Sequence, residues 1–272
     1  MAQQNRYEKM FNAVEARMET GAFVPFVTIG DPSPALSFEI IKTLIDNGAD
    51  GLELGIPFSD PSADGIVIQK AGIRALSAGV NTDGCFDILK QVRGYAPDVP
   101  IGLLLYGNLV FAYGIDRFYQ QLASIGVDSI LIADLPIRES QPFREAAEKH
   151  GIAQIFIAPP NANEKTLSDI AQFSKGYTYV LSRAGVTGTH SDAQVPKLEL
   201  IDKLQALNAP PAVIGFGIST PEHVKAALDS GARGAISGSA TVKLIEEHLD
   251  SPEQMLAALA SFVSGMKAAT KA

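Results

Sequence analysis

The chain has 272 residues, 46% of them hydrophobic and 19% charged, and carries a net charge of −8; that is ample for one large core, and α/β barrels reach this length as a single domain. The acidic balance and the absence of a basic run argue against nucleic acid as a partner, while leaving an anionic small molecule open to local donors. A single cysteine, Cys85, excludes an intramolecular disulfide and a cysteine-based metal cluster, and without a signal segment or a bilayer-length apolar stretch the chain is expected to be cytoplasmic, with no membrane partner.

Tyr7, Met10, Phe11, Val14 and Met18 recur at helical spacing, so the chain opens with an amphipathic helix. A strand at 22–28 is closed by Gly30-Asp31-Pro32, and a helix with Leu36, Ile40, Ile41, Leu44 and Ile45 on one face ends at Gly48, where glycine suits a left-handed cap. Next comes an apolar strand interrupted by Glu53, then a loop rich in Gly, Pro, Ser and Asp through Gly65. Helices are expected at 66–78 and from Thr82, a plausible N-cap, to Val92. Strands at 101–106, 127–133, 152–157 and 177–181 alternate with helices at 115–124, 139–150 and 164–173. A polar loop then runs to about residue 195, followed by a helix at 197–207, strands at 212–215 and 234–237, helices at 221–229 and 240–248, and a last helix bearing Met255, Leu259, Val263 and Met266.

That alternation makes eight strands, each followed by at least one helix. Gly48-Ala49-Asp50, Gly126-Val127-Asp128 and Gly231-Ala232-Arg233 repeat one helix-to-strand turn. Repeated turns of one kind, near-continuous apolar strands and the lack of Gly-x-Gly-x-x-Gly after the first strand favour a closed wheel over a doubly wound sheet. The expected fold class is α/β: a (β/α)8 TIM barrel with an extra N-terminal helix and additional helices, as one domain over residues 1–272.

Three stretches carry candidate chemistry. Glu53 lies between Leu52 and Leu54; pointing inward, it would sit near the C-terminal mouth of the barrel, where desolvation raises a carboxyl toward the range useful for proton transfer. The plain alternative is an outward residue or a paired buried carboxylate. Asp64 precedes a helix and could simply cap it, and Asp60, Ser59 and Ser62 suit turns. Near the other end, Ile214-Gly215-Phe216-Gly217-Ile218-Ser219 and Ala235-Ile236-Ser237-Gly238-Ser239 each run from strand through glycine and serine to a helix start, a design that cradles phosphate, and Ser219 with Glu222 fits a capping box. The third stretch, 182–192, reads as a closing lid in which Gly188 adds a backbone donor. The four histidines, His150, His190, His223 and His248, show no ligand spacing and read as surface residues, so no metal is expected.

Glu53-Leu54-Gly55-Ile56-Pro57-Phe58-Ser59-Asp60-Pro61 with Ala63-Asp64-Gly65 resembles the signature of the tryptophan synthase alpha chain family. Further matching stretches are Phe23-Val24-Pro25-Phe26-Val27-Thr28, Ser182-Arg183 with Gly185-Val186-Thr187-Gly188, Gly215-Phe216-Gly217-Ile218-Ser219, and Gly234-Ala235-Ile236-Ser237-Gly238-Ser239. The resemblance runs from the first helix to the last. It implies a lyase that cleaves indole-3-glycerol phosphate to indole and glyceraldehyde 3-phosphate in tryptophan biosynthesis. It implies Glu53 as general acid/base, Asp64 at the indole N–H, and Tyr179 near the reacting centre. Gly188, Gly217, Gly238 and Ser239 match phosphate-binding positions, and Phe26, Leu104, Tyr106, Leu131, Ala133, Ile157 and Phe216 would line the indole pocket. It also implies a beta-chain partner, two alpha with two beta, with pyridoxal phosphate in the beta chain and no cofactor in this one. Ser62, Ile66 and Gly107 depart from the family pattern. The competing readings are another phosphate-handling barrel isomerase and a barrel kept mainly as an allosteric activator of a beta chain.

Overall fold

The computed structural model describes residues 5–182 and 198–271. Helix α1 (Arg6–Ala16) is followed by β1 (Ala22–Thr28), α2 (Pro34–Asp46), β2 (Leu52–Gly55), α3 (Ile66–Ser77), α4 (Thr82–Tyr95), β3 (Ile101–Leu105), α5 (Gly107–Tyr113), α6 (Ile115–Ile125) and β4 (Ser129–Ile132). The second half comprises α7 (Gln141–His150), β5 (Ala153–Ile155), β6 (Ile157–Ala158), α8 (Glu164–Phe173), β7 (Thr178–Leu181), α9 (Leu198–Ala206), β8 (Ala212–Gly215), α10 (Pro221–Asp229), β9 (Gly234–Ser237), α11 (Ser239–Glu247) and α12 (Pro252–Ala268).

All strand pairs are parallel, in the order β5-β4-β3-β2-β1-β9-β8-β7-β6. The expected fifth strand is two segments, β5 and β6, on either side of Phe156. Its first part pairs with β4 and its second with β7, so the two ends of the sheet meet on one run of chain. The carbonyl of Phe156 still accepts the Tyr179 N–H at 3.1 Å. This stagger is what a tilted, closed barrel requires.

Alternation along the strands sorts side chains into two layers. Phe26, Leu131, Ile155, Tyr179, Val213 and Ile236 pack inside the barrel, whereas Phe23, Leu52, Leu54, Ile101, Ile130 and Val180 pack outward against the helices. Helix α1 closes the N-terminal end. A reciprocal cap between Asn5 and Glu8 starts it, and its Tyr7, Met10, Phe11 and Val14 belong to the inner cluster. The Tyr7 hydroxyl lies 2.6 Å from Ser129 Oγ. Gly102 stands beside them because a Cβ there would meet Ser129 Oγ at 2.7 Å and Tyr7 Oη at 2.8 Å.

The repeated helix-to-strand turn has a polar purpose. Asp50 accepts the Phe23 N–H at 2.8 Å and binds Lys267 and Arg17. Asp128 accepts the Ile101 N–H at 2.8 Å and binds Arg93 and Arg6. Each carboxylate satisfies a strand-start N–H on the neighbouring strand, a group that is costly to bury unpaired.

Some local expectations change. Helix α5 was not expected; it is a single short stretch ended by Gly114, whose φ of 94° is readily open only to glycine. Asn81, not Thr82, caps α4, and Thr220, not Ser219, caps α10. Among the described residues no helix is long and apolar enough to cross a membrane.

Candidate active site

A pocket opens at the C-terminal ends of the strands. Its wall is contributed by Phe26 of β1, Glu53 of β2, Leu104 of β3, Ala133 after β4, Ile157 of β6 and Tyr179 of β7. Phe216 and Gly217 close one side after β8, and Gly238 and Ser239 another where α11 begins. Asp64 enters from the loop before α3. Eleven of the residues singled out in the sequence thus converge on one cavity.

Glu53 is 2% exposed. Its strand neighbours are Phe26 and Gly102, and its Oε1 accepts the Tyr177 hydroxyl at 2.9 Å. Burial pushes the carboxyl up to about 7, with the Tyr177 hydrogen bond opposing the rise. Sequence reasoning passed over Tyr177. It faces inward like Tyr179, two residues on, but lies deeper, edge-on to Tyr7 at 5.4 Å.

Asp64 is not the helix cap: Gly65 holds that position. Burial raises its carboxyl to about 6, and a hydrogen bond from Tyr106 opposes the rise. Tyr106 Oη also accepts the Ala63 N–H at 3.1 Å, and its ring stacks on Phe58 at 5.3 Å. Tyr106 therefore corrects its expected place. It lies past the end of β3, lines an adjoining cavity with Thr28, Pro57 and Phe58 rather than the main pocket, and pins the loop that carries Asp64. Leu131 is also displaced from expectation: 1% exposed, it packs below the pocket between Leu104 and Ile155 of the flanking strands. Gly188 and the rest of the expected lid after Ser182 lie outside the described residues.

The far end of the pocket is rich in backbone donors. The first intrahelical bond of α11 is from Val242 N to the Gly238 carbonyl, so the amides of Ser239, Ala240 and Thr241 precede it. Such amides, with the helix dipole behind them, attract an anion. Ile68, Ile236, Ile218, Ser219, Ala63 and Ala240 also line the cavity and were not among the expected binding residues. The inward alternation of β9 could have pointed to Ile236.

No group of three or more His, Cys, Asp or Glu suited to a metal occurs among the described residues. The three histidines among the described residues are less free than expected: His150 bonds Asp116 at 2.9 Å, His248 bonds the Leu244 carbonyl at 2.9 Å, and His223 contacts Ser219.

The model of the family described as tryptophan synthase alpha chain matches residues 11–271. The chain belongs to the tryptophan synthase alpha chain family. A Yersinia enterocolitica protein named tryptophan synthase alpha chain is 60% identical over 266 residues, spanning 98% of this chain and 99% of that one. Among solved structures, the tryptophan synthase subunit alpha of Legionella pneumophila superposes with a TM-score of 0.87 at 32% identity, covering 98% of this chain and 99% of its own. A chain from the tryptophan synthase a2b2 complex of Pyrococcus furiosus gives 0.82 at 33% identity, covering 92% and 98%. The three departures from the alpha-chain pattern stand outside the pocket wall. Ser62 is exposed, Ile66 opens α3 with 70% exposure, and Gly107 opens α5 with its N–H on Asp134 Oδ1 at 2.7 Å.

Proposed function

We propose that this pocket cleaves indole-3-glycerol phosphate by a retro-aldol reaction, releasing indole and glyceraldehyde 3-phosphate in tryptophan biosynthesis. The observation that carries the reading is the pairing of a buried carboxyl held near 7, on a strand, with a cluster of helix-start amide donors across one apolar cavity. Phe26, Leu104, Ala133, Ile157 and Phe216 supply the flat apolar sleeve that an indole ring needs. Gly217, Gly238 and Ser239, with the start of α11, take the phosphate.

Glu53 protonates indole C3, and the positive charge that develops on the ring nitrogen is met by the Asp64 carboxylate accepting its N–H. The ionised Glu53 then serves as base for the hydroxyl on the adjacent side-chain carbon. Loss of that proton forms the aldehyde, and the electrons of the breaking carbon–carbon bond restore the aromatic ring. A carboxyl near 7 is populated in both forms at neutral pH, which suits alternating acid and base work. Tyr179 stands beside the reacting centre as part of the wall.

Each step moves only protons and bonding electrons of the substrate, so the chemistry calls for no cofactor in this chain. The partner is the tryptophan synthase beta chain, two alpha with two beta, and pyridoxal phosphate belongs to that subunit. We place the enzyme in the cytoplasm, acting as one barrel domain. An isomerase would share the phosphate end and leave the Glu53–Asp64 pair without a task.

The direct test is to incubate the purified chain, alone and with a beta chain, with indole-3-glycerol phosphate. Equal amounts of indole and glyceraldehyde 3-phosphate are expected; an isomerised phosphate ester without indole would overturn the reading. Tyr106→Phe provides a finer check. It removes the hydroxyl that favours the charged carboxylate, an interaction worth about 1.5 to 3 kcal/mol, so the Asp64 titration rises by about one to two units. The acidic limb of the kcat/KM profile therefore moves to higher pH, and an unmoved limb would detach Tyr106 from Asp64.

A further inference from the structure

The turn after β8 is strained and clamped. Phe216 and Gly217 have φ of 75° and 76°, and the left-handed region costs a non-glycine residue on the order of 1 kcal/mol. Such a conformation persists only where its surroundings fix it. Here the Ser182 hydroxyl donates to the Phe216 carbonyl at 2.8 Å, and the Ser237 hydroxyl donates to the Ile218 carbonyl at 2.7 Å. Both serines are buried. These two bonds occupy carbonyl oxygens that would repel an anion in the pocket the turn lines.

The third clamp is of opposite kind. The Ser219 N–H donates to Nδ1 of His223 at 3.3 Å, and Ser219 Oγ lies 3.1 Å from the same nitrogen. A backbone N–H can only donate, so Nδ1 carries the lone pair and the ring proton sits on Nε2. His223 is the third residue of α10, the position from which Glu or Gln reaches back in a capping box. Here the imidazole reaches one residue further back, to Ser219 rather than to the cap Thr220, and supplies an acceptor without a negative charge. Glu222, the neighbouring carboxylate, is exposed at the helix start, where Thr220 and its own amide hold its carboxyl below the ordinary value.

We propose that His223 is a positioning residue for the phosphate end of the pocket: its neutral Nδ1 fixes the Gly217–Ser219 turn while keeping anionic charge out of it. This rests on the phosphate reading given above. The role is one of charge as well as shape, and that separates it from ordinary helix capping.

The test compares His223→Gln, His223→Leu and His223→Glu by titration with glycerol 3-phosphate and, separately, with indole, alongside KM and kcat for the full substrate. Gln keeps a neutral acceptor and should bind glycerol 3-phosphate like the parent. Leu loses one hydrogen bond and should bind it about five- to tenfold more weakly. Glu keeps an acceptor but adds charge, and should weaken it at least as much as Leu. Indole affinity should be unchanged throughout, and the loss should fall on KM much more than on kcat. Parent-like phosphate affinity in both Leu and Glu variants would overturn the proposal, as would a Gln variant as weak as Leu or an equal loss for indole. Gly238→Asp serves as the separate control. If that carboxylate leaves glycerol 3-phosphate binding intact, the phosphate reading itself fails, whatever His223 does.

Discussion

Glu53→Gln should remove indole release almost entirely and at the same time make the folded chain more stable at alkaline pH. The two effects have one cause. The amide can neither give nor take the proton, and loss of a general acid/base costs about 10² to 10⁴ in rate. Yet the carboxyl it replaces is held at about 7 instead of its ordinary 4.5 by burial among apolar side chains. Below about 4.5 it is protonated in both folded and unfolded chains, and stability is unaffected. Between 4.5 and 7 the folded chain keeps the proton that the unfolded chain has lost, so stability falls as pH rises. Above 7 the full cost is present, about 3 kcal/mol. Urea unfolding of parent and variant at pH 5 and pH 8 reads this directly. The stability gap in favour of Gln should be small at pH 5 and widen by pH 8, and Gln Oε1 can still accept the Tyr177 hydroxyl. A gap that stays constant or closes would mean that Glu53 is not a buried, reluctantly ionised group.

This trade between stability and chemistry explains how much of the site could be read from the chain. Glu53 was legible because period-two alternation places it inward and nothing nearby in sequence pairs with it. Gly238 and Ser239 were legible because strand, glycine and serine before a helix leave backbone donors free. What the sequence hid is depth and direction past the strand ends. Tyr177 and Tyr179 share a face, and only the three-dimensional arrangement shows that Tyr177 reaches the Glu53 carboxyl. Leu131 has the right parity but sits one layer too low. Tyr106 has left the strand, so alternation no longer governs it, and it turns to the Asp64 loop. Helix α5 escaped because a seven-residue helix between glycines is too short for a periodic pattern. Ser219 and Thr220 both suit a cap by residue type; the choice of Thr220 leaves Ser219 for His223.

Gly215→Ala is the substitution for which the smallest chemical change should have the largest structural effect. Sequence alone makes this glycine one more tight-turn residue, but its backbone is not in the left-handed region that would demand glycine. The reason is a neighbour. A Cβ at 215 would stand 1.9 Å from Tyr179 Oη and 2.1 Å from Cζ, distances at which the ring has to leave. Tyr179 is 4% exposed, packed in the barrel interior beside Val213, and lines the pocket, the open space into which its ring can move. Overpacking of this kind costs about 1 to 3 kcal/mol. A ring pushed by an ångström into the substrate space can cost about 10²-fold in rate. Urea unfolding and indole release should both register the change. The cause can be isolated in a double-mutant cycle. In a Tyr179→Leu background the added methyl meets no hydroxyl or ring edge, so the penalty of Gly215→Ala should shrink sharply, giving a strongly non-additive pair. Equal penalties in the two backgrounds would place the strain in the strand backbone and not in the ring that forms the wall opposite Glu53.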